Sequence, residues 1–230
     1  MRHPKIRDRG YEPNQVYSWA LYDWANSAYA TTVMAGFFPI FFKQFWSSGI
    51  DVHRSTFNLG ISNSVASIFI ALIAPVLGSI GDTWGVRKQF LLFFAAMGII
   101  MTGALGFVAQ GRWVLAMAVY IFATIGFTGG NVFYDSLLVN VSGTRKMDVV
   151  AALGYGLGYL GGGILFGFTV LMTLNPHLFG LASSTEAVRI SFFAVAVWWA
   201  LFSLPIFLFV REPAVRREGT GGLAVGAAFR

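Results

Sequence analysis

Asp23 and Asp135 are the only acidic residues inside long apolar runs of this 230-residue sequence. A carboxylate at the centre of a membrane-spanning helix costs about 2.5–3.5 kcal/mol on insertion scales, so such a residue faces a cavity or a partner. Asn26 lies one helical turn beyond Asp23. In the run around Asp135, the residues Tyr120, Thr124, Asn131, Tyr134 and Asp135 recur at intervals of three, four and seven, which places them on one stripe of a helix. Groups of this kind suit two tasks. They can bind a small polar solute or exchange protons, or they can hold a bundle together through interhelical hydrogen bonds. Asp23, Asn26, Tyr120, Thr124, Asn131, Tyr134 and Asp135 are the candidate substrate- or ion-binding residues. Other chemistries have little to work with. The sequence has no cysteine, and His3, His53 and His177 are scattered through tails and loops, so neither thiolate chemistry nor a metal cluster is expected. Beyond the two Asp there is no acid–base pair and no nucleophile elbow, so the sequence reads as neither an enzyme nor a cofactor protein.

The elements that must position these residues are hydrophobic helices. Charged residues make up 11% of the sequence and hydrophobic residues 56%, where a soluble domain carries about 25% charge. Six stretches reach the roughly 20 residues needed to cross a bilayer: 18–42, 57–80, 89–109, 113–141, 149–174 and 190–210. An all-α membrane bundle over 18–210 is expected, with a cytoplasmic segment at 1–17 and the start of a cytoplasmic linker at 211–230. The basic stretch Arg2–Arg9 precedes a polar-marked span without a small-residue cleavage site, so that span is expected to be retained. Twelve of the 16 Lys and Arg fall on one side: Arg2, Lys5, Arg7, Arg9, Arg87, Lys88, Arg145, Lys146, Arg211, Arg216, Arg217 and Arg230. Lys43, Arg54, Arg112 and Arg189 are the other four. The positive-inside rule then puts both termini in the cytoplasm of a cell (inner) membrane. It also accounts for the net charge of +6 without a nucleic-acid partner. Trp19, Trp46, Trp84 and Trp113 stand near span ends, as interfacial anchors do.

The spans are unequal in polarity. The third and sixth are nearly blank and suit lipid, whereas the first and fourth carry the acids. Polar, mixed, blank and again polar, mixed, blank suggests two three-helix units arranged as an inverted repeat. In the fifth span Gly154, Gly158 and Gly162 are four apart, so one face admits a neighbouring backbone closely. Between the second and third spans runs Gly78-Ser-Ile-Gly-Asp82-Thr-Trp-Gly85-Val-Arg87-Lys88. Gly78 permits close approach and Gly85 a tight turn, while Asp82 beside Arg87 and Lys88 can form a charge network.

That loop resembles the signature of the major facilitator superfamily, departing from it at Thr83, where the family often has a base. Tyr22-Asp-Trp-Ala-Asn-Ser-Ala-Tyr29, Phe133-Tyr-Asp-Ser-Leu137, Gly158-Tyr-Leu-Gly-Gly-Gly163 and Arg211-Glu-Pro213 resemble the vacuole-effluxer-like (autophagy-related effluxer) branch and its bacterial relatives. The resemblance covers all six spans and implies the N-terminal half of a major facilitator fold, with spans one and four on the central cavity and Gly78, Asp82, Gly85, Arg87 and Lys88 as a conformational-switch loop. It further implies export of a small polar solute, with amino acids the substrate associated with the fungal member. Gly154, Gly158, Gly162 and Gly163 also resemble the span-five motif of proton-coupled antiporters, with Tyr159 where that motif has proline. The expected partners are lipid, a small-molecule substrate, and a C-terminal six-helix half or a second copy of the chain. A homodimeric half-size transporter and a non-transporting membrane scaffold or sensor are the alternatives.

Overall fold

A computed structural model describes residues 12–143 and 146–212, without the side chains of Asp82 and Trp84. Most of the expected N-terminal segment, the linker from 213 onward and Arg145 lie outside the described residues. Among those described, every regular element is helical.

The first element is helical throughout residues 13–46 but changes type along the way. It is α-helical over Pro13–Ala28, π-helical over Tyr29–Phe37, α-helical over Phe38–Phe41 and π-helical over Phe42–Trp46; we call the whole run α1. The other elements are α2 (Val52–Trp84), α3 (Arg87–Leu105), α4 (Trp113–Ser142), α5 (Met147–Leu174) and α6 (Ser184–Phe209), with a 3-10 turn at Pro176–Phe179. Among the described residues, uninterrupted helices long and apolar enough to cross a membrane number five, α2 to α6. The stretch expected as the first span falls in the composite α1, whose opening α-helix of 16 residues is too short to span by itself. Pro39 gives the interruption a cause. It has no N–H to offer and its ring crowds the carbonyl four residues back. The chain widens there instead, with the Phe38 N–H reaching the Val33 carbonyl, five residues back.

Helix packing follows a symmetric scheme. α1 packs against α5 and α6, α4 packs against α2 and α3, and α3 and α6 pack against each other. Exchanging α1 with α4, α2 with α5 and α3 with α6 maps this set of neighbours onto itself, as an inverted repeat requires. The polar helices α1 and α4 therefore occupy the middle. The blank helices α3 and α6 lie behind them, and α2 and α5 form the two rims. Closest of all is the α3–α4 crossing, where a Cβ on Gly126 would come within 2.4 Å of the Gly98 nitrogen. Two apolar clusters fill the bundle. One gathers Phe38, Phe42, Trp46, Phe192 and Trp199, the other Trp19, Tyr22, Phe94, Phe133 and Leu137.

Two tryptophans depart from the anchoring role expected of them. Trp19 is 3% exposed and Trp46 0%. Trp19 stacks on Tyr134 at 4.3 Å between ring centroids and donates to the Tyr134 carbonyl, and Trp46 donates to the Val108 carbonyl. Each indole thus finds a hydrogen-bond acceptor inside the protein and has no need of the headgroup region. Trp113 is half-buried.

Candidate functional site

On α1, Asp23 lies between Tyr22, the last member there of the cluster that holds Trp19 and Phe133, and Ala25, the first of the cluster that holds Phe38 and Trp199. Its side chain turns toward α5. Ser27, one turn on, donates its hydroxyl to the carboxylate at 3.1 Å. A Cβ on Gly158 would sit 2.8 Å from the Asp23 carboxyl carbon and 2.8 Å from the Ser27 hydroxyl. The missing side chain at Gly158 is the space that the carboxylate occupies. Gly154, Gly161 and Gly162 continue the seam: their added carbons would meet Trp19 and the Tyr134 hydroxyl, the Trp24 carbonyl, and the Ser27 carbonyl with the Thr31 hydroxyl. Thr31 closes the seam by donating to the Gly162 carbonyl at 3.2 Å. The glycine face read from the sequence is thus the face that seats α1, with Gly161 as a fourth member that a strict four-residue spacing omits.

On α4 the candidate residues do not act as one stripe. Tyr120 donates to Asn63 of α2 at 2.9 Å, Thr124 shares a 2.9 Å hydrogen bond with Tyr29 of α1, and Asn131 accepts from the Asn26 amide. These three pairs tie the central helices to each other and to one rim. Asn63 and Tyr29 are partners that hydropathy alone does not single out, since each stands among other polar residues, Ser62 and Ser64 beside Asn63 and Ser27, Thr31 and Thr32 near Tyr29.

Tyr134 and Asp135 behave differently. Asp135 is exposed, one residue beyond the buried Tyr134. The Tyr134 hydroxyl is buried against Gly154 without a hydrogen-bond partner. Asp23, Tyr134 and Asp135 are the candidate acidic site, Asp23 and Tyr134 meeting α5 at Gly158 and Gly154, and Asn26, Asn131, Tyr120 and Thr124 belong to the hydrogen-bonded framework beside it. Tyr155 and Tyr159 flank Gly158 on α5 and are 68% and 73% exposed.

The loop between α2 and α3 departs from expectation at Gly78. Nothing lies within 4 Å of a Cβ built there, because α2 is a rim helix and that side of it is open. Close approach occurs one turn later, at Gly81, whose added carbon would meet Phe133 at 3.1 Å. Gly85 ends α2 in the left-handed conformation, φ +65°, where glycine carries no Cβ penalty. The side chain of Asp82 lies outside the described residues. A second carboxylate completes the charge network: Glu212 accepts from the Arg87 N–H at 2.8 Å and the Lys88 N–H at 3.2 Å, capping the start of α3. Lys88 in turn donates through Nζ to the Phe207 and Val210 carbonyls at the end of α6, at 2.8 and 2.6 Å. Arg87 reaches the Ser136 carbonyl of α4.

The chain is similar to known proteins along most of its length. The family described as "Vacuole effluxer Atg22 like" matches residues 47–141 and 139–230. A Bacillus subtilis protein named "Uncharacterized MFS-type transporter YxiO" is 38% identical over 86% of this chain and 47% of its own length. "Autophagy-related protein 22" of Eremothecium gossypii is 20% identical over 93% of this chain and 49% of its own. "Multidrug resistance protein MdtG" of Yersinia enterocolitica is 29% identical over 85% and 44%. The chain spans about half the length of the curated relatives it matches. No solved structure matches it.

Proposed function

Since the chain belongs to the vacuole effluxer Atg22-like family of the major facilitator superfamily, we propose that this multi-pass membrane protein is one half of a secondary transporter that exports a small polar solute by alternating access. The observation that carries the reading is the placement of the acidic site. It sits on the central helices, between two rim helices, α2 and α5, whose outer sides this chain leaves uncovered. A surface of that kind is half of a cavity, and a chain about half as long as its relatives is suited to supply half. The other half is a further six-helix unit or a second copy. Amino acids are the first solutes to try, and protons, exchanged at Asp23 and Asp135 as the cavity opens and closes, are the coupling ion in this reading. The 12-to-4 distribution of basic residues supports cytoplasmic termini in a cell membrane.

The test is transport in everted membrane vesicles from cells carrying the intact gene, with a deletion strain as blank. Gene-dependent, saturable accumulation of labelled amino acids, driven by a pH gradient and abolished by a protonophore, is expected. Absence of any gene-dependent flux, by gradient-driven uptake or by counterflow, would favour the scaffold or sensor alternative.

A further inference from the structure

α2 divides lengthwise into three sectors. Ser62, Ala66 and Ile70 are buried against the bundle. Ile61, Val65, Ile68 and Leu72, at helical spacing, are exposed and apolar, a face that suits lipid. Gly60, Asn63, Ser64, Ser67 and Ala71 share the remaining side, and all five are exposed. No side chain among these five is larger than asparagine, and a Cβ on Gly60 would meet nothing within 4 Å. Hydrocarbon offers no hydrogen bond to an amide or a hydroxyl, so the third sector belongs to a polar interior and not to the bilayer. Asn63 is the member of that sector tied into the bundle. Its Oδ1 accepts from the Tyr120 hydroxyl of α4 at 2.9 Å. Tyr120 is 1% exposed, and its ring lies flat on buried Phe38 of α1, 3.7 Å between centroids and 11° between planes. A ring packed in this way cannot swing aside. The bond therefore sets the plane of the Asn63 amide and turns Nδ2, across the same carbon, away from Tyr120. Two N–H donors are held in a fixed direction on an exposed polar face, with Ser64 and Ser67 beside them.

We propose that the Asn63 amide, braced by Tyr120, is the group on α2 that binds an acceptor oxygen of the solute, the carboxylate in an amino acid. The inference rests on the transport reading and adds a specificity-determining residue to it. Nδ2 donates to the solute oxygen, a charge-assisted bond when that oxygen is a carboxylate. Tyr120 acts as a positioning residue, holding Oδ1 so that the donors and not the acceptor face the solute. Gly60 and Ala71 leave room for the solute along the same face.

The experiment reads thiol reactivity in open membranes from cells carrying the intact gene, with the unsubstituted parent as blank. Ser67→Cys, one turn from Asn63, should react with a charged, water-soluble methanethiosulfonate, and Ile68→Cys, on the apolar sector, should not. Each common amino acid is then tried as a protectant. At least one should slow the Ser67→Cys reaction saturably. The amine that remains when its carboxyl group is removed should need about tenfold or more concentration for the same protection, the loss of one bond to a charged group. Asn63→Asp, combined with Ser67→Cys, still accepts from Tyr120 but has no N–H to offer, and half-protection should again shift about tenfold or more. Asn63→Ala should shift it as far. A Ser67→Cys thiol that does not react, or that no amino acid protects, would overturn the proposal. So would equal protection by the decarboxylated amine, or Asn63→Asp and Asn63→Ala variants, present at normal levels, that are protected like Ser67→Cys alone. Protection by a solute that shows no gene-dependent flux would leave the Asn63 site standing and remove the transport reading. Amino-acid flux that Asn63→Asp carries like the parent would do the reverse.

Discussion

Replacing Gly161 by Ala separates close packing from helix preference, with Gly156 on the same helix as its control. A Cβ at Gly161 would lie 2.5 Å from the backbone carbonyl oxygen of Trp24 and 2.6 Å from its ring. The carbonyl contact is about 0.9 Å short of the 3.4 Å at which ordinary contact begins. A backbone carbonyl inside α1 cannot rotate aside, so α1 and α5 must separate, stretching the bond from Thr31 to the Gly162 carbonyl as they do. Overpacking of this sort costs about 1–3 kcal/mol. The intrinsic helix preference of Ala over Gly returns about 1 kcal/mol. The net expectation for Gly161→Ala is a loss of about 0–2 kcal/mol. At Gly156 nothing lies within 4 Å, and Gly156→Ala should gain about 0.5–1 kcal/mol. The two variants should thus differ by about 1–3 kcal/mol, the overpacking term alone. Reversible unfolding in mixed dodecylmaltoside and dodecyl sulfate micelles, followed by circular dichroism, measures both against the parent. Equal shifts of the same sign would show that α5 does not seat α1 through its glycines, and the seam that places Asp23 would have to be redrawn.

Three further outcomes are expected. Glu212→Gln keeps the shape of the α3 cap but loses its charge and one of two acceptor oxygens, and should cost about 0.5–2 kcal/mol in the same unfolding assay; an unchanged midpoint would reduce the Glu212 contacts to passive neighbours. A double-mutant cycle of Asn26→Ala and Asn131→Ala should return a coupling of about 0.6–1.7 kcal/mol, the range of hydrogen bonds between membrane helices, and additive losses would separate the pair. Because the sequence has no cysteine, Ser48→Cys and Asp148→Cys, both at exposed positions, report orientation through an impermeant maleimide. Ser48→Cys should label in intact cells and Asp148→Cys only after permeabilisation, and the opposite pattern would invert the proposed topology.

What could be read in the sequence and what could not divide along a physical line. Apolar length and polarity ranking are sums over a helix, so the helical bundle and the back position of α3 and α6 were legible without coordinates. The direction in which one side chain points is not such a sum. Asp23 and Tyr120 both suggested the cavity, yet Asp23 turns against Gly158 of α5 and Tyr120 toward Asn63 of α2. Trp19 and Trp46 lie near span ends by count, and only packing shows that their indoles find carbonyls inside. Gly78 fits a family pattern, but close approach falls to Gly81, because the phase of a rim helix depends on its neighbour. The π turns of α1 follow from Pro39 only once the widened hydrogen bond from Phe38 to Val33 is seen. Glu212 stands 125 residues from Arg87, and no local pattern links a carboxylate after the last span to the start of the third.

That last contact has a mechanical consequence. α3 belongs to the first three-helix unit and α6 to the second, and the start of α3 and the end of α6 are fastened twice, by Glu212 on the α3 amides and by Lys88 on the α6 carbonyls. Each fastener neutralises the dipole end it touches, so slippage of one helix past the other would expose two charged termini together. Load applied at either rim, α2 or α5, would therefore pass through the back pair to the opposite unit, making the two units one lever. The compliant stretch of that lever is residues 29–46 of α1, where wide turns replace the tighter ladder and backbone partners can shift by one residue at low cost. Torque is carried at one end of the bundle and bending is absorbed toward the other.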